Sequence, residues 1–276
     1  MSRSAVGLTL VQYAAAAVRG YRMAPSSARR LCMVTGQHGS VHAQTTTKRI
    51  LCLHGGGTNE AIMRIQTAKL RAQLRGEFDF EFLEGTHTVE AVDPAIKKRF
   101  AGQQYLGWYD VKHDAAPGRD YIEALLDEQH VEFSYPGIDE ALARVEGHIE
   151  ASGPYNALLG FSQGAILITL LTALHLERAR NGLGQPPSWQ QNVLVCGMPV
   201  RANRFYSLFD RLGPLKFAST IAQGRDDMAY PWCIKLAQTY RSPCIIEYVD
   251  GHRFPHSKDD TCKIADSIRQ GSRLLR

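Results

Sequence analysis

Ser162, the pair Asp226-Asp227 and His252 are the side chains of this sequence whose types and settings could together attack an activated carbonyl. Ser162 is the middle residue of Gly160-Phe161-Ser162-Gln163-Gly164, between the apolar runs Ala157-Leu158-Leu159 and Ala165-Ile166-Leu167-Ile168. Such a segment reads as a strand that enters a sharp turn and leaves as a helix. The serine is then held on a strained elbow with its hydroxyl exposed at the top of a sheet. Small residues on either side keep that turn free of clashes. A serine hydroxyl attacks poorly until an imidazole takes its proton. The imidazole in turn needs a carboxylate to fix its tautomer and stabilise its charged form. The attacked oxygen becomes an oxyanion and needs N–H donors already in place. The backbone N–H of Gln163 is one candidate donor. The glycine turn after the first strand supplies the other: Gly56, with Gly57 next.

Each residue also has a plainer reading. The pentapeptide fits a Gly-Ser turn between a buried strand and a core helix. Asp226 and Asp227 compete for one role, because a single strand-to-loop turn aims only one of them at the histidine. His252 competes with His256, and the Gly251-His252 turn directly after a strand favours His252. His54-Gly55-Gly56-Gly57 could cradle a phosphate, yet it has neither the dinucleotide-binding nor the P-loop spacing. His54 itself reads as structural, since it precedes the glycine turn instead of coming last in the order. Lys97-Lys98-Arg99 reads as a solvated face.

The elements that must position these residues follow from the apolar pattern. A short strand over 49–53 runs into the glycine turn. Asn59 can cap a following helix in which Ile62, Ile65, Leu70 and Leu74 recur at helical spacing. Phe78, Phe80 and Phe82 alternate with Asp79 and Glu81, which predicts a strand with one wet face. From 85 to 135 the pattern weakens and Tyr105, Trp108, Tyr109 and Tyr121 collect; a segment this long suggests a lid or binding insertion. Some of these aromatics could line a pocket, the alternative being plain core. A helix over 136–152 has Ile138, Leu142, Val145 and Ile149 on one face. Strands are expected over 193–197, 216–223 and 244–249, and helices over 231–240 and 257–270. Strands alternating with helices imply a largely parallel sheet covered on both faces. Ser162, the Asp pair and His252 then all fall at the carboxyl ends of strands, where open α/β sheets place their ligands.

Size and composition are compatible with that. A chain of 276 residues with 44% hydrophobic content can bury one full core. No apolar run approaches the length that spans a bilayer. The six cysteines (Cys32, Cys52, Cys196, Cys233, Cys244, Cys262) are scattered without a C-x-x-C pair, as in a reduced intracellular protein and unlike a disulfide scaffold or zinc site. Cys52 and Cys196 sit in apolar strand-like runs, where a cysteine behaves as a small hydrophobe. The net charge of +5 is uneven: seven of the 32 basic residues precede Ile50, where no acid occurs, leaving 25 against 27 acids in the rest. That near-neutral body gives no reason to expect a nucleic-acid partner. Residues 1–48, rich in Arg and Ser and free of acid, read either as a mitochondrial transit segment or as a disordered extension, with Met33 a further possible start. The expected organisation is therefore a 1–48 extension and one 49–276 domain, cytoplasmic unless the extension targets mitochondria.

Taken together, Leu53-His54-Gly55-Gly56-Gly57-Thr58-Asn59, Leu159-Gly160-Phe161-Ser162-Gln163-Gly164-Ala165, Gly224-Arg225-Asp226-Asp227-Met228-Ala229-Tyr230-Pro231 and Gly251-His252-Arg253-Phe254-Pro255 resemble the fungal family of small serine hydrolases, the FSH family. The resemblance covers 49–270 and implies the α/β-hydrolase fold, with a mostly parallel sheet, helices on both faces and a lid-like insertion. The family pattern G-x-x-D-x-x-x-P falls on Gly224, Asp227 and Pro231, so it implies Asp227 as the acid. Its G-H-x-x-P falls on Gly251, His252 and Pro255. The implied activity is hydrolysis of an acyl ester or thioester through Ser162, His252 and Asp227, with Gly56 and Gln163 as oxyanion donors and no cofactor or metal. Tyr105, Trp108, Met228 and Tyr230 are the candidate pocket residues. The Thr-Asn after the glycines and the segment Gln103-Gln104-Tyr105-Leu106-Gly107-Trp108-Tyr109 resemble members of the lovastatin and citrinin routes, which release acyl chains from a polyketide synthase. That likeness implies a partner, the acyl carrier domain of such a synthase. Asp250 before the Gly-His and the basic extension depart from the family pattern. A general carboxylesterase, an acyltransferase and a non-catalytic binding protein on the same scaffold are the rival expectations.

Overall fold

The computed structural model describes residues 47–273 apart from 91, 93, 116–123 and 125–130. The segment 1–46 and Tyr121 lie outside the described residues. Six strands form the central sheet: β1 (Lys48–Leu53), β2 (Phe78–Leu83), β3 (Ala157–Phe161), β4 (Gln191–Val195), β5 (Ser219–Gly224) and β6 (Cys244–Tyr248). They lie side by side in the order β6-β5-β4-β3-β1-β2, and every pairing is parallel. The first strand, β1, lies inside the sheet; the chain then steps out to β2 and returns to the other side of β1, so the order reverses between β1 and β3. Parallel α/β sheets open a crevice at the carboxyl ends beside such a reversal. The turns after β1 and β3, with the glycines and Ser162, both empty into it.

Alternation along the strands builds two cores. Leu51, Leu53, Leu158, Leu194 and Ile221 face one side, while Ile50, Cys52, Leu159, Val193, Val195 and Ala222 face the other. Strands buried on both faces read as continuous apolar runs, which is why these segments were legible. On the first face pack α4 (Ile138–Ser152), α5 (Gln163–Arg180) and α7 (Tyr230–Gln238). On the second lie α2 (Ala68–Gln73) and α8 (Lys258–Gly271). α5 is buried continuously from Gly164 to Ala173, as a helix that is apolar all round must be.

Three features differ from the sequence reading. The first helix is two, α1 (Glu60–Gln66) and α2, broken at Thr67, whose hydroxyl donates to Met63 O at 2.8 Å. Ile65 is 54% exposed, whereas Ile62 and Leu70 stay buried. The β4 strand ends at Val195, so Cys196 and Gly197 belong to the following turn. A helix not expected from the sequence, α6 (Tyr206–Leu212), follows that turn; Phe205, Leu208 and Phe209 carry its apolar side. The 85–135 insertion holds α3 (Pro94–Arg99) and two short antiparallel ribbons, His87–Thr88 with Leu106–Gly107 and Lys112–His113 with Phe133–Ser134. Lys97, Lys98 and Arg99 are exposed as expected. Among the described residues no helix is long and apolar enough to cross a membrane.

Candidate active site

β3 delivers Ser162 into a backbone conformation with φ 51° and ψ −115°, a region that disfavours residues with a side chain. Packing explains how the strain is held. A Cβ on Gly160 would lie 2.6 Å from Ala165 N, and one on Gly164 would lie 2.3 Å from Leu53 O. Only glycine lets the elbow come this close to the end of β1. Ser162 N–H donates to Val195 O at 2.9 Å, tying the turn to β4 as well.

The Ser162 hydroxyl donates to His252 Nε2 at 2.9 Å, and His252 Nδ1–H donates to Asp227 Oδ2 at 2.7 Å. Asp227 Oδ1 accepts from Ala229 N–H at 2.8 Å, so both of its oxygens are engaged. Asp226 and His256 are exposed, whereas Ser162, Asp227 and His252 are 7%, 4% and 6% exposed. The sequence reading expected an exposed serine hydroxyl; the residue is nearly closed off instead. Burial by itself would raise the Asp227 carboxyl. The attraction of His252, its hydrogen bond and that from Ala229 N–H outweigh this and hold the carboxyl below the usual range. The arrangement can accept a proton from the serine at one imidazole nitrogen while a carboxylate steadies the other.

The His252 turn is clamped from several sides. Asp250, buried at 4%, accepts from Gly251 N–H at 3.0 Å and pairs with Arg253 and, at 2.8 Å, with His256. Asp226 N–H donates to Asp250 O at 3.0 Å, and Tyr248 Oη–H donates to Arg253 O at 2.7 Å. The departure at Asp250 therefore fastens the loop and leaves the His252–Asp227 contact intact.

Gly56 and Gln163 face each other across the reversal: a Cβ on Gly56 would lie 3.2 Å from Gln163 Oε1. No hydrogen bond among the described residues uses either backbone N–H. The Gln163 side chain has a task of its own. Its Oε1 accepts from Trp108 N–H and its Nε2 donates to Tyr109 O, each at 2.8 Å, which ties the insertion to the elbow.

His54 is structural here too. Its Nδ1–H donates to Gly55 O at 2.8 Å and its Nε2 accepts from Gly85 N–H at 2.9 Å, which leaves no nitrogen for the serine. Burial lowers its pKa to about 4, partly offset by the bond to Gly55, so the ring is neutral at ordinary pH.

Among the candidate pocket residues, Trp108 is buried at 3% and its indole N–H donates to His54 O at 2.8 Å. Tyr105 is half-buried with its hydroxyl on Phe100 O at 2.9 Å. Met228 is 43% exposed, and the Tyr230 hydroxyl hydrogen-bonds the Glu247 carboxylate.

Cys196 is the neighbour that sequence reasoning missed. It is buried as expected, but it sits past the strand end with φ 50°, and its Sγ, an Asp227 oxygen and a His252 nitrogen lie within 4.8 Å of one another. Such a trio has metal-ligand chemistry. However, both His252 nitrogens are already bonded, and burial pushes the Cys196 thiol far up, away from the thiolate a metal needs. A positive φ outside glycine, at a strand end facing the acid, is visible only in three dimensions.

Comparison with known proteins agrees with this architecture. The profile of the family described as Serine hydrolase (FSH1) matches residues 43–264. The mouse (Mus musculus) esterase OVCA2 is 35% identical over 77% of this chain and 92% of its own length. The Aspergillus terreus dihydromonacolin L (lovastatin nonaketide synthase) thioesterase is 25% identical over 81% of this chain and 91% of its own. The crystal structure of Zea mays acyl-protein thioesterase 2 superposes with a TM-score of 0.53 at 18% identity, covering 83% of this chain and 96% of that one, a likeness of α/β-hydrolase fold.

Proposed function

Because the chain belongs to the serine hydrolase (FSH1) family and is an esterase- or thioesterase-type enzyme, we propose that Ser162, His252 and Asp227 are its catalytic triad. The observation that carries this is the unbroken hydrogen-bonded series from the Ser162 hydroxyl through His252 to Asp227, at 2.9 and 2.7 Å. Ser162 Oγ attacks the acyl carbonyl carbon as its proton passes to His252 Nε2. Asp227 holds the ring and stabilises its charged form. The free N–H groups of Gly56 and Gln163 receive the oxyanion. His252 then returns the proton to the departing thiolate or alkoxide, and water, activated by the same imidazole, releases the acid.

As the finer reading, the acyl chain is a polyketide delivered as a thioester by the acyl carrier domain of a synthase. The resemblance of residues 103–109 and the likeness to the Aspergillus terreus thioesterase support it. A second reading, a general carboxylesterase, draws support from the higher identity to mouse OVCA2. We place the enzyme in the cytoplasm, in keeping with five cysteines that are free thiols among the described residues. Turnover of thioesters and oxygen esters of matched acyl chains, free and carrier-bound, tests these readings. Carrier-bound thioesters favoured in kcat/KM bear out the first; equal or better use of simple oxygen esters bears out the second.

A further inference from the structure

Arg201 is 6% exposed, and its guanidinium lies over two aromatic rings, 4.9 Å from the Phe133 centroid and 4.7 Å from that of Trp232. Its Nε and Nη2 have no hydrogen-bond partner among the described residues, and neither has Trp232 Nε1. The backbone around it is fixed. Arg201 N–H donates to Tyr135 Oη at 2.9 Å, its carbonyl accepts from Tyr206 Oη at 3.0 Å, and Phe133 N–H donates to Asn203 Oδ1 at 3.3 Å. A second cation, Lys235 Nζ, lies 4.3 Å from the Trp232 centroid. Buried charges are normally paired, because an unpaired one forfeits its solvation for nothing. A rigidly mounted guanidinium with two nitrogens unbonded among the described residues, near an indole N–H in the same state, can therefore hold an anion.

Its place says which anion. Arg201 follows the turn after β4, whose end accepts Ser162 N–H. Trp232 stands in the first turn of α7, five residues after Asp227. Both segments follow the carboxyl ends of sheet strands, as Ser162 does. The planar fork of an arginine held over aromatic rings suits a planar carboxylate, which it can grip with two parallel bonds. We propose that Arg201, with Trp232 Nε1, forms a subsite for a carboxylate carried by the acyl chain, so that the enzyme selects acyl groups with a second, free acid. The inference rests on Ser162 as nucleophile.

The test compares mono-p-nitrophenyl esters of dicarboxylic acids of increasing length with neutral esters of matched length. The charged ester is expected to be favoured about tenfold or more in kcat/KM at its best length. In Arg201→Met that ratio falls to about one, and Arg201→Lys retains part of it. A wild-type ratio near one at every length overturns the proposal, and it needs no variant to fold. So does a ratio unchanged in Arg201→Met, which would make the residue merely structural. A pantetheine phosphate is the other anion of this chemistry, and coenzyme A thioesters set against N-acetylcysteamine thioesters separate it. A loss in Arg201→Met confined to the coenzyme A thioester overturns the carboxylate assignment. Ser162→Ala is run alongside: turnover of the neutral esters that survives it refutes the nucleophile, whatever the charge ratio.

Discussion

Ser162 and His252 are separated by 90 residues in sequence and by 2.9 Å in space, and the chemistry depends on that distance. Replacing Ser162 by Ala removes the nucleophile without touching packing. We expect a loss of kcat of at least a thousandfold and up to about a millionfold, the scale seen for triad serines, with an unchanged unfolding transition. Asp227→Asn leaves the shape but presents the wrong hydrogen-bonding partner to Nδ1. A loss of roughly 10³ to 10⁴ in kcat is expected, and steady-state kinetics measure it. Because the Asp227 carboxyl is held below the usual range, it stays ionised as pH falls through the range where a free aspartate protonates. The kcat/KM profile should therefore show no separate aspartate step in that range. Ser162 and His252 were legible from motif and order alone. The choice of Asp227 over Asp226 rests on the family pattern; in the structure Asp227 bonds His252 and Asp226 is exposed. Cys196 was illegible, since an apolar run hides where its strand stops.

At the scale of elements, two joints hold the elbow in place. His54 joins the end of β1 to the chain at Gly85, and its neutral ring accepts from Gly85 N–H. Protonation would set two donors face to face. With the ring's pKa lowered from 6.5 to about 4, the unfolded chain binds a proton that the folded one refuses across that window. The sign follows: stability is full above pH 6.5 and falls as pH drops toward 4, by up to about 3 kcal/mol. Denaturant titrations at stepped pH should show this slope, and His54→Gln, which cannot titrate, should flatten it. An unchanged slope in the variant would assign the acid sensitivity elsewhere. Gln163 is the second joint. Truncating it to Ala removes its hydrogen bonds to Trp108 N–H and Tyr109 O, which should cost about 1–3 kcal/mol in chemical denaturation. kcat/KM should fall with it, as the insertion loosens over the elbow. The element pattern explains its own misreadings. The α1–α2 region carries apolar residues at one continuous helical spacing, and nothing in that spacing marks the break at Thr67. The insertion was recognised by its lack of pattern, and ribbons of two residues leave no periodicity to read.

For the molecule as a whole, the inner strands of the parallel sheet are written in apolar runs and β2 in alternation, so the strands and their carboxyl-end loops could be placed from sequence. The strand order could not, because pairing is decided by which apolar faces meet across the chain. We propose that the catalytic body begins at about residue 47, with the extension before it dispensable for chemistry. The family match from residue 43 and the start of β1 at Lys48 support this. A chain beginning at Thr47 should keep the melting temperature and kcat/KM of the full chain, as differential scanning calorimetry and steady-state assays would show. A drop in either would give the extension a part in the fold. The account's central claim is that one serine, at the turn between β3 and α5, carries the acyl group. Peptide mass mapping after reaction with a fluorophosphonate, in parallel with acyl thioester trapping, tests it directly. The account predicts a single adduct on Ser162 in both cases, absent from His252→Ala in the same time. Adduct on another residue, or turnover with Ser162 unmodified, would contradict it.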